Sequence, residues 1–502
     1  MRSRDRSGVL SVSLCFLFAV TLSGQGPDTL WTRTYGGADY DEGSSVLETS
    51  DRGYIIVGFT RSFGAGSSDI YLVKTDPGGD TVWTRTYGGT DDDRGLSVQE
   101  TSDGGYILVG VTNSFGAGEY DVYVIQTDPD GDTLWTRTYG GTDDDGGLSV
   151  QETSDGGYIV VGATESFGGG DQDIYLLNID REGNSLWSKT YGGSGDDTGY
   201  WVRKTSDDAY IIAGSTYSFG AGNSDVYLIE ANSDGDTVWT RTYGGPGWER
   251  GNSVEQTADG GYIVGASTGG DVYLIKVDSL GEVLWTRTYG VTHSDGGKSV
   301  QQVRDGGYII VGYTSSPTDR VDSYLIKTDV NGNALWTKTY GGGSYDFMFS
   351  VQQTSDGGYI VAGFTSSFGA GRSDVWAIKT GTDTGVEEEE TSQKVPLVSQ
   401  NGPNPFTDKI LIQYELPTSG NIHIVIHNPL GQQVKTLIDA EQIAGHHTIT
   451  WDATDSAGRR VPSGTYFVRL AIRPAREAHA GQAHTGLGTG DYTATRKVCV
   501  VR

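Results

Sequence analysis

The string Trp83-Thr84-Arg85-Thr86-Tyr87-Gly88-Gly89 recurs, with small changes, with its tryptophan at positions 31, 83, 135, 187, 239, 285 and 336. The spacings are 52, 52, 52, 52, 46 and 51 residues. A fixed period of this length means that one supersecondary unit is repeated and that stacked neighbours bury a shared core. The fifth copy is short because Gly265-Ala266-Ser267-Thr268-Gly269-Gly270 runs directly into Asp271, without the Ser-Phe-Gly-Ala-Gly segment seen at 114–118.

Each unit contains four β-type runs, typified by DTLWTRTY, LSVQET, YIIVGFT and DIYLVKT. Two joints are tight, as in Ser102-Asp103-Gly104-Gly105 and Asp128-Pro129-Asp130-Gly131, where glycine supplies positive φ and aspartate caps the turn. The other two joints are long, and alternating strand direction brings both to one face. Glycine, 77 of 502 residues, is abundant, while proline is only 12, so the chain folds rather than remaining low-complexity coil. With 29 Tyr, 13 Phe and 11 Trp it favours strands over a helical bundle. Seven units of four antiparallel strands predict an all-β fold, a seven-bladed β-propeller over residues 28–380. The repeat array begins with DTLWTRTY at 28–35 and stops one such strand short after Thr380, so the first strand is expected to complete the last blade. An open solenoid is the competing arrangement. These repeats resemble bacterial β-propeller repeats built on a Gly-Gly-Ser-Gly-Asp-Asp and Asp-x-x-Gly-Asn-x-Tyr pattern. The resemblance implies the fold and no particular ligand.

From Gly381 the period ends, and 381–396, with Glu387 to Glu390, reads as an acidic linker. Residues 397–502 carry a different strand set, ILIQYEL, NIHIVIHN, HHTITWD, TYFVRLAI and ATRKVCVV, suited to a small immunoglobulin-like β-sandwich. Pro403-Asn404-Pro405-Phe406, Tyr414-Glu415-Leu416-Pro417, Leu430-Gly431-Gln432-Gln433-Val434, Trp451-Asp452, Val461-Pro462-Ser463-Gly464-Thr465-Tyr466 and Thr495-Arg496-Lys497-Val498 resemble the C-terminal sorting domain of type IX secretion cargo. They are equally similar to the immunoglobulin-like domain of flagellar hook-capping proteins. The first resemblance implies a sorting motif, Pro403, Asn404, Pro405, Gly464, Tyr466 and Lys497, that engages the secretion machinery. It also implies delivery to the medium or to the outer-membrane surface of a Gram-negative-type bacterium. Arg473 to Gly490 is an insertion relative to that pattern, and an accessory immunoglobulin-like domain without sorting activity is the alternative reading.

Residues 1–24 have the layout of a secretory signal peptide, with Arg2, Arg4 and Arg6 before an apolar run from Val9 to Leu22. No later run is long enough for a membrane helix. Of two cysteines, Cys15 lies in that apolar run, leaving Cys499 without an intramolecular partner. Lys+Arg number 36 against Asp+Glu 65, a formal charge of -29, which repels nucleic acid and anionic lipid.

The acid of the first long loop recurs as Asp41, Asp93, Asp145, Asp197, Glu249, Asp295 and Asp346. If LSVQET is innermost, these carboxylates would ring one opening and attract Ca²⁺. The alternative is that each satisfies turn amides in its own blade. Departures from the repeat carry more information. Tyr40, Tyr200, Trp201, Trp248, Tyr345, Phe347 and Phe349 replace acids or small residues near the same loop and offer faces for a glycan or protein ligand. The alternative for these is filling between blades. No differentiated carboxylate pair or Ser, His and Asp set indicates catalysis. The expected function is therefore a secreted or surface binding and adhesion propeller. A polysaccharide-active hydrolase or lyase and a structural surface protein are the alternatives.

Overall fold

The computed structural model describes residues 26–290, 294–315, 321–383, 397–401, 409–416, 420–428, 432–443, 445–474 and 492–500. The expected signal segment, residues 384–396 of the expected linker, and Pro403, Asn404 and Pro405 lie outside these. The chain divides into two compact units, Met1–Val386 and Glu387–Arg502. Every regular element among the described residues is a strand.

The first unit is a seven-bladed β-propeller. Blade I contains strands Asp41–Glu48, Tyr54–Thr60, Asp69–Thr75 and Thr81–Tyr87, paired in that order. Blades II to VI repeat this over 93–139, 145–191, 197–243, 249–289 and 295–340. Blade VII consists of Asp346–Gln353, Tyr359–Thr365 and Asp374–Thr380, completed by Thr29–Tyr35 from the other end of the repeat array. That last pairing is antiparallel, with Trp31 opposite Lys379 and Tyr35 opposite Val375, and it closes the ring.

The two middle strands of each blade are covered on both faces, which is why YIIVGFT and DIYLVKT read as nearly continuous apolar runs. Seven apolar layers lie between adjacent blades. In one, Ile55, Val57, Ile70 and Leu72 of blade I meet Val98, Tyr106, Leu108 and Tyr123 of blade II. Each buried aliphatic side chain contributes about 1.5–3 kcal/mol. The tryptophans belong to these joints: Trp83 meets Tyr106 of the next blade at 6.0 Å between ring centroids. Tyr87 of the same string donates its hydroxyl to Gly131 O, 2.6 Å away in the next blade's hairpin turn.

The first strands line the central channel, and their Ser-Val-Gln pattern clips blade to blade. Val46 N donates to Ser350 Oγ at 3.2 Å and Glu48 N to Gln352 Oε1 at 2.6 Å, across the closing joint. Val150 N and Glu152 N make the same bonds to Ser97 Oγ and Gln99 Oε1.

In the second unit, one sheet pairs Leu397–Asn401, Ile410–Leu416 and Gly445–Trp451. The other pairs Gln433–Gln442, Gly420–His427, Gly464–Pro474 and Tyr492–Val500. Ile410, Ile412 and Trp451 from the first sheet share a core with Ile422, Ile424, Tyr466 and Val468 from the second, forming a small immunoglobulin-like sandwich. Tyr466 packs edge-on against Trp451 at 5.3 Å and donates its hydroxyl to Pro462 O at 2.9 Å. Its ring therefore belongs to the core. Gly464 opens the strand Gly464–Pro474, and Lys497 sits in Tyr492–Val500 opposite Phe467.

Candidate functional site: an aromatic cleft beside the shortened blade

The recurrent loop acids do not ring the channel. Each is buried at the start of its own first strand. Asp41 accepts Gly37 N at 2.7 Å, Ser62 Oγ at 2.7 Å and Thr60 Oγ1. Asp93, Asp145, Asp197 and Asp346 accept the matching glycine amide and serine hydroxyl. Glu249 accepts Gly245 N at 2.9 Å and Thr268 Oγ1 at 2.8 Å. Turn amides and hydroxyls thus engage these six carboxylates, while Asp93, Asp145 and Asp197 each keep a buried Oδ1 without a hydrogen-bond partner. Asp295 is likewise buried. Among the described residues, no group of three or more His, Cys, Asp or Glu side chains is arranged to hold a metal ion.

Nor is the channel roomy. It has a volume of about 140 Å³, below the ~300–1,000 Å³ of ordinary ligand pockets. Trp201 and Arg203 line it, with the guanidinium 4.5 Å from the indole centroid. Burial lowers the Arg203 pKa to about 10, partly opposed by Glu255. Burial likewise pushes the Glu255 carboxyl up, against the bonds from Gln302 N and the nearby Arg203.

The large cleft lies elsewhere. In five blades the Ser-Phe-Gly-Ala-Gly or equivalent loop folds back on its own third strand, as with Phe63 on Tyr71 at 5.8 Å and Phe219 on Tyr227 at 5.6 Å. Glycine in this loop also packs on the next blade's acidic loop, Gly222 against Gly247 O and Pro246. Blade V replaces the loop with a two-residue turn, Gly269 and Gly270, at φ 41° and 117°. Positive φ at both central residues is what so tight a hairpin demands and what glycine permits. With the loop gone, a cleft of about 970 Å³ opens across blades IV, V and VI.

Tyr200, Tyr217, Trp248, Arg250 and Tyr313 line it, over a polar floor that includes Ser215 and Ser267. Trp248 is 58% exposed and Tyr217 48%, and the two rings meet edge to face at 5.7 Å. The Arg250 guanidinium lies 3.7 Å from the Tyr200 centroid. Asn252 Nδ2 bonds Gly297 O at 2.8 Å and Ser267 Oγ bonds the same carbonyl at 3.1 Å, fixing the floor.

Of the seven aromatics singled out in the sequence, Tyr200 and Trp248 therefore reach the cleft. Phe347 and Phe349 adjoin it: Phe347 stacks on Phe349 at 6.2 Å and lies 5.4 Å from Tyr313. Trp201 is in the channel. Tyr40 sits apart, between Arg61 at 5.7 Å and Arg372 at 5.3 Å. Tyr345 is exposed but is not among the cleft-lining residues. Tyr217, Arg250 and Tyr313 were not anticipated. Their signal was departure from the repeat: the position of Tyr217 is Arg61, Asn113, Glu165 and Ser366 in other units.

Residues 406–473 match the FlgD Ig-like domain. The C-terminal module carries that domain. The regulatory protein FlaEY of Caulobacter vibrioides is 28% identical over 158 residues, 26% of this chain and 17% of that protein, so the match spans a small part of the relative's length. Among solved structures, PorZ, an essential bacterial surface component of the type-IX secretion system of Porphyromonas gingivalis, aligns over 93% of this chain and 60% of its own. Its identity is 12% and its TM-score 0.42. The Pan2 WD40 domain of Neurospora crassa aligns over 70% and 96%, with 12% identity and a TM-score of 0.44. Among the described residues, no helix is long and apolar enough to cross a membrane.

Proposed function

We propose that this protein is a secreted or cell-surface propeller that binds a saccharide in the cleft beside blade V. The observation that carries this reading is the coincidence of a deleted loop with exposed aromatic rings. Trp248 and Tyr217 present faces at the mouth, and serine and asparagine side chains lie beneath them. Apolar walls with a few placed polar groups suit sugar rings, which stack through C–H faces and hydrogen-bond through hydroxyls. Of the acids at the cleft, Glu249 and Asp295 are buried within their own blades. The FlgD-like module serves delivery in this reading, through a type IX-like sorting route.

The deciding experiment is binding of the full chain to a panel of soluble oligosaccharides, with reducing-sugar release followed in parallel. Binding that is lost in Trp248→Ala, without sugar release, is the expected result. Equal binding by wild type and variant would move the ligand elsewhere. Deleting residues 397–502 tests delivery, and unimpaired export would remove the sorting role.

A further inference from the structure

Many cations elsewhere in the propeller pair with acids. Lys74, Lys276, Lys327 and Lys379 pair with Asp51, Asp259, Asp305 and Asp356, and Arg33, Arg85 and Arg241 pair with Asp80, Asp132 and Glu282. Arg94, equivalent to Arg250 in its own blade, has Glu42 close enough to feel its charge. Arg250 and Lys298, like Arg287 and Lys338, have no carboxylate partner among the described residues. Instead Arg250 and Lys298 lie against aromatic rings; Arg250 lines the cleft, and Lys298, outside that lining, neighbours Tyr313, which belongs to it. Arg250 covers Tyr200, and Lys298 Nζ is 5.8 Å from the Tyr313 centroid and 5.9 Å from that of Phe349. They are also near each other, since Arg250 adds to the burial that lowers the Lys298 pKa to about 8.

Neither cation belongs to the repeat formula. The positions equivalent to Arg250 hold Glu42, Arg94, Gly146, Thr198, Gly296 and Phe347. Those equivalent to Lys298 hold Ser44, Leu96, Leu148, Tyr200, Asn252 and Phe349. Two like charges placed together cost stability unless something of opposite sign joins them. In a chain of formal charge -29 there is ample acid to match them, yet neither forms an ion pair among the described residues. Of the four acids lining the cleft, Glu249 and Asp295 are buried, Asp271 is half-buried and Asp196 is exposed.

We infer that the saccharide taken by this cleft is acidic, with Arg250 and Lys298 placed to receive a carboxylate or sulfate while Trp248 and Tyr217 hold the adjoining ring. The inference rests on the saccharide-binding reading and narrows it to a charge class. Arginine over an aromatic ring keeps its in-plane N–H groups free for an oxyanion, and the poorly hydrated lysine gains its counter-charge on binding.

Calorimetry on the full chain tests this with three length-matched oligosaccharides: a neutral glucan, a polyuronate and a sulfated glucan. At least tenfold tighter binding of one or both acidic sugars is expected, weakening with added salt. In the double variant Arg250→Gln, Lys298→Met that preference should be lost, the affinities for acidic and neutral sugars converging to within about twofold. Unchanged melting of the double variant establishes its fold, and the single variants Arg250→Gln and Lys298→Met serve if the double variant melts early. Uronate against sulfate distinguishes the two anion sources. Equal affinity for neutral and acidic sugars, or an acidic preference that survives the variants, overturns the inference and leaves saccharide binding standing. Binding of an acidic peptide with none of the three sugars would overturn both.

Discussion

The guanidinium carbon of Arg250 lies over the ring of Tyr200, 3.7 Å from its centroid, and the two residues come from adjacent blades. Tyr200 is thus a platform that holds a cation at the cleft wall. A desolvated cation–π contact of this kind is worth about 1–2 kcal/mol. Tyr200→Leu keeps apolar bulk but removes the ring quadrupole. It should weaken binding of an acidic oligosaccharide roughly fivefold to tenfold, about 1–1.4 kcal/mol by the same scale. Calorimetry against the wild type checks it, and an unchanged affinity would make the stack incidental.

Lys298 gives that binding a pH signature. Burial first, and Arg250 second, lower its pKa to about 8 from the ordinary lysine value. Because the folded pKa lies below the unfolded one, the charged form is disfavoured in the native state. Its cost is fully present below about 8 and is relieved as pH rises toward the ordinary value. A bound anion favours the charged form, so affinity should be highest below about pH 8 and fall above it. The Lys298→Met variant should show a flat profile across the same window.

Restoring the missing loop should close the cleft. Replacing Gly269-Gly270 by the eight residues Tyr-Ser-Phe-Gly-Ala-Gly-Asn-Ser that separate Thr216 from Asp225 would let phenylalanine pack on Tyr273, as Phe219 does on Tyr227. The expected result is a folded protein, with melting equal to or above the wild type, that no longer binds sugar. Retained binding would show that the site does not need the gap.

Gly36 sits between two buried carboxylates. A Cβ there would be 2.5 Å from Asp374 Oδ1 and 2.6 Å from Asp41 Oδ2, far inside contact distance. Burial, and to a lesser degree Asp41, already raises the Asp374 pKa. Gly36→Ala should therefore cost about 2–3 kcal/mol through overpacking, measurable by denaturant unfolding. A change below about 0.5 kcal/mol, the range of a neutral surface substitution, would mean that the joint relaxes freely.

Removing residues 26–36 deletes the outer strand of blade VII. Melting should fall by several degrees, and the freed edge of Asp374–Thr380 should promote self-association, visible by light scattering. Unchanged melting would mean that the pairing contributes little to ring closure.

Much of the fold was legible because the pattern repeats its own punctuation. The strings around Trp83 and the Asp-Gly turns mark every strand boundary, and the odd strand at 29–35 announces closure. The blade clips were not legible, since nothing in an alternating strand tells whether Ser97 or Gln99 reaches its own blade or the neighbour. The aromatics divided for a related reason. Tyr200 and Trp201 are consecutive, yet the pairing shifts between Gly199 and Trp201, sending one ring to the cleft and the other into the channel. The loop acids illustrate a third limit: Asp41 is conspicuous in the sequence because Gly37 N, Ser62 Oγ and Thr60 Oγ1 all require it. The short fifth copy read as a tolerated deletion, while the three-dimensional outcome was an opening that only its neighbours in space could define.

The pairing of Thr29–Tyr35 with Asp374–Thr380 has a temporal corollary. During synthesis the earliest strand emerges with no partner and waits until the final repeat has been made. Six blades can assemble in succession behind it, but the seventh remains three-stranded until the two ends of the array meet. Over that interval the edge of Asp374–Thr380 stays unpaired, and completion of the last repeat acts as the step that commits the propeller to its finished form.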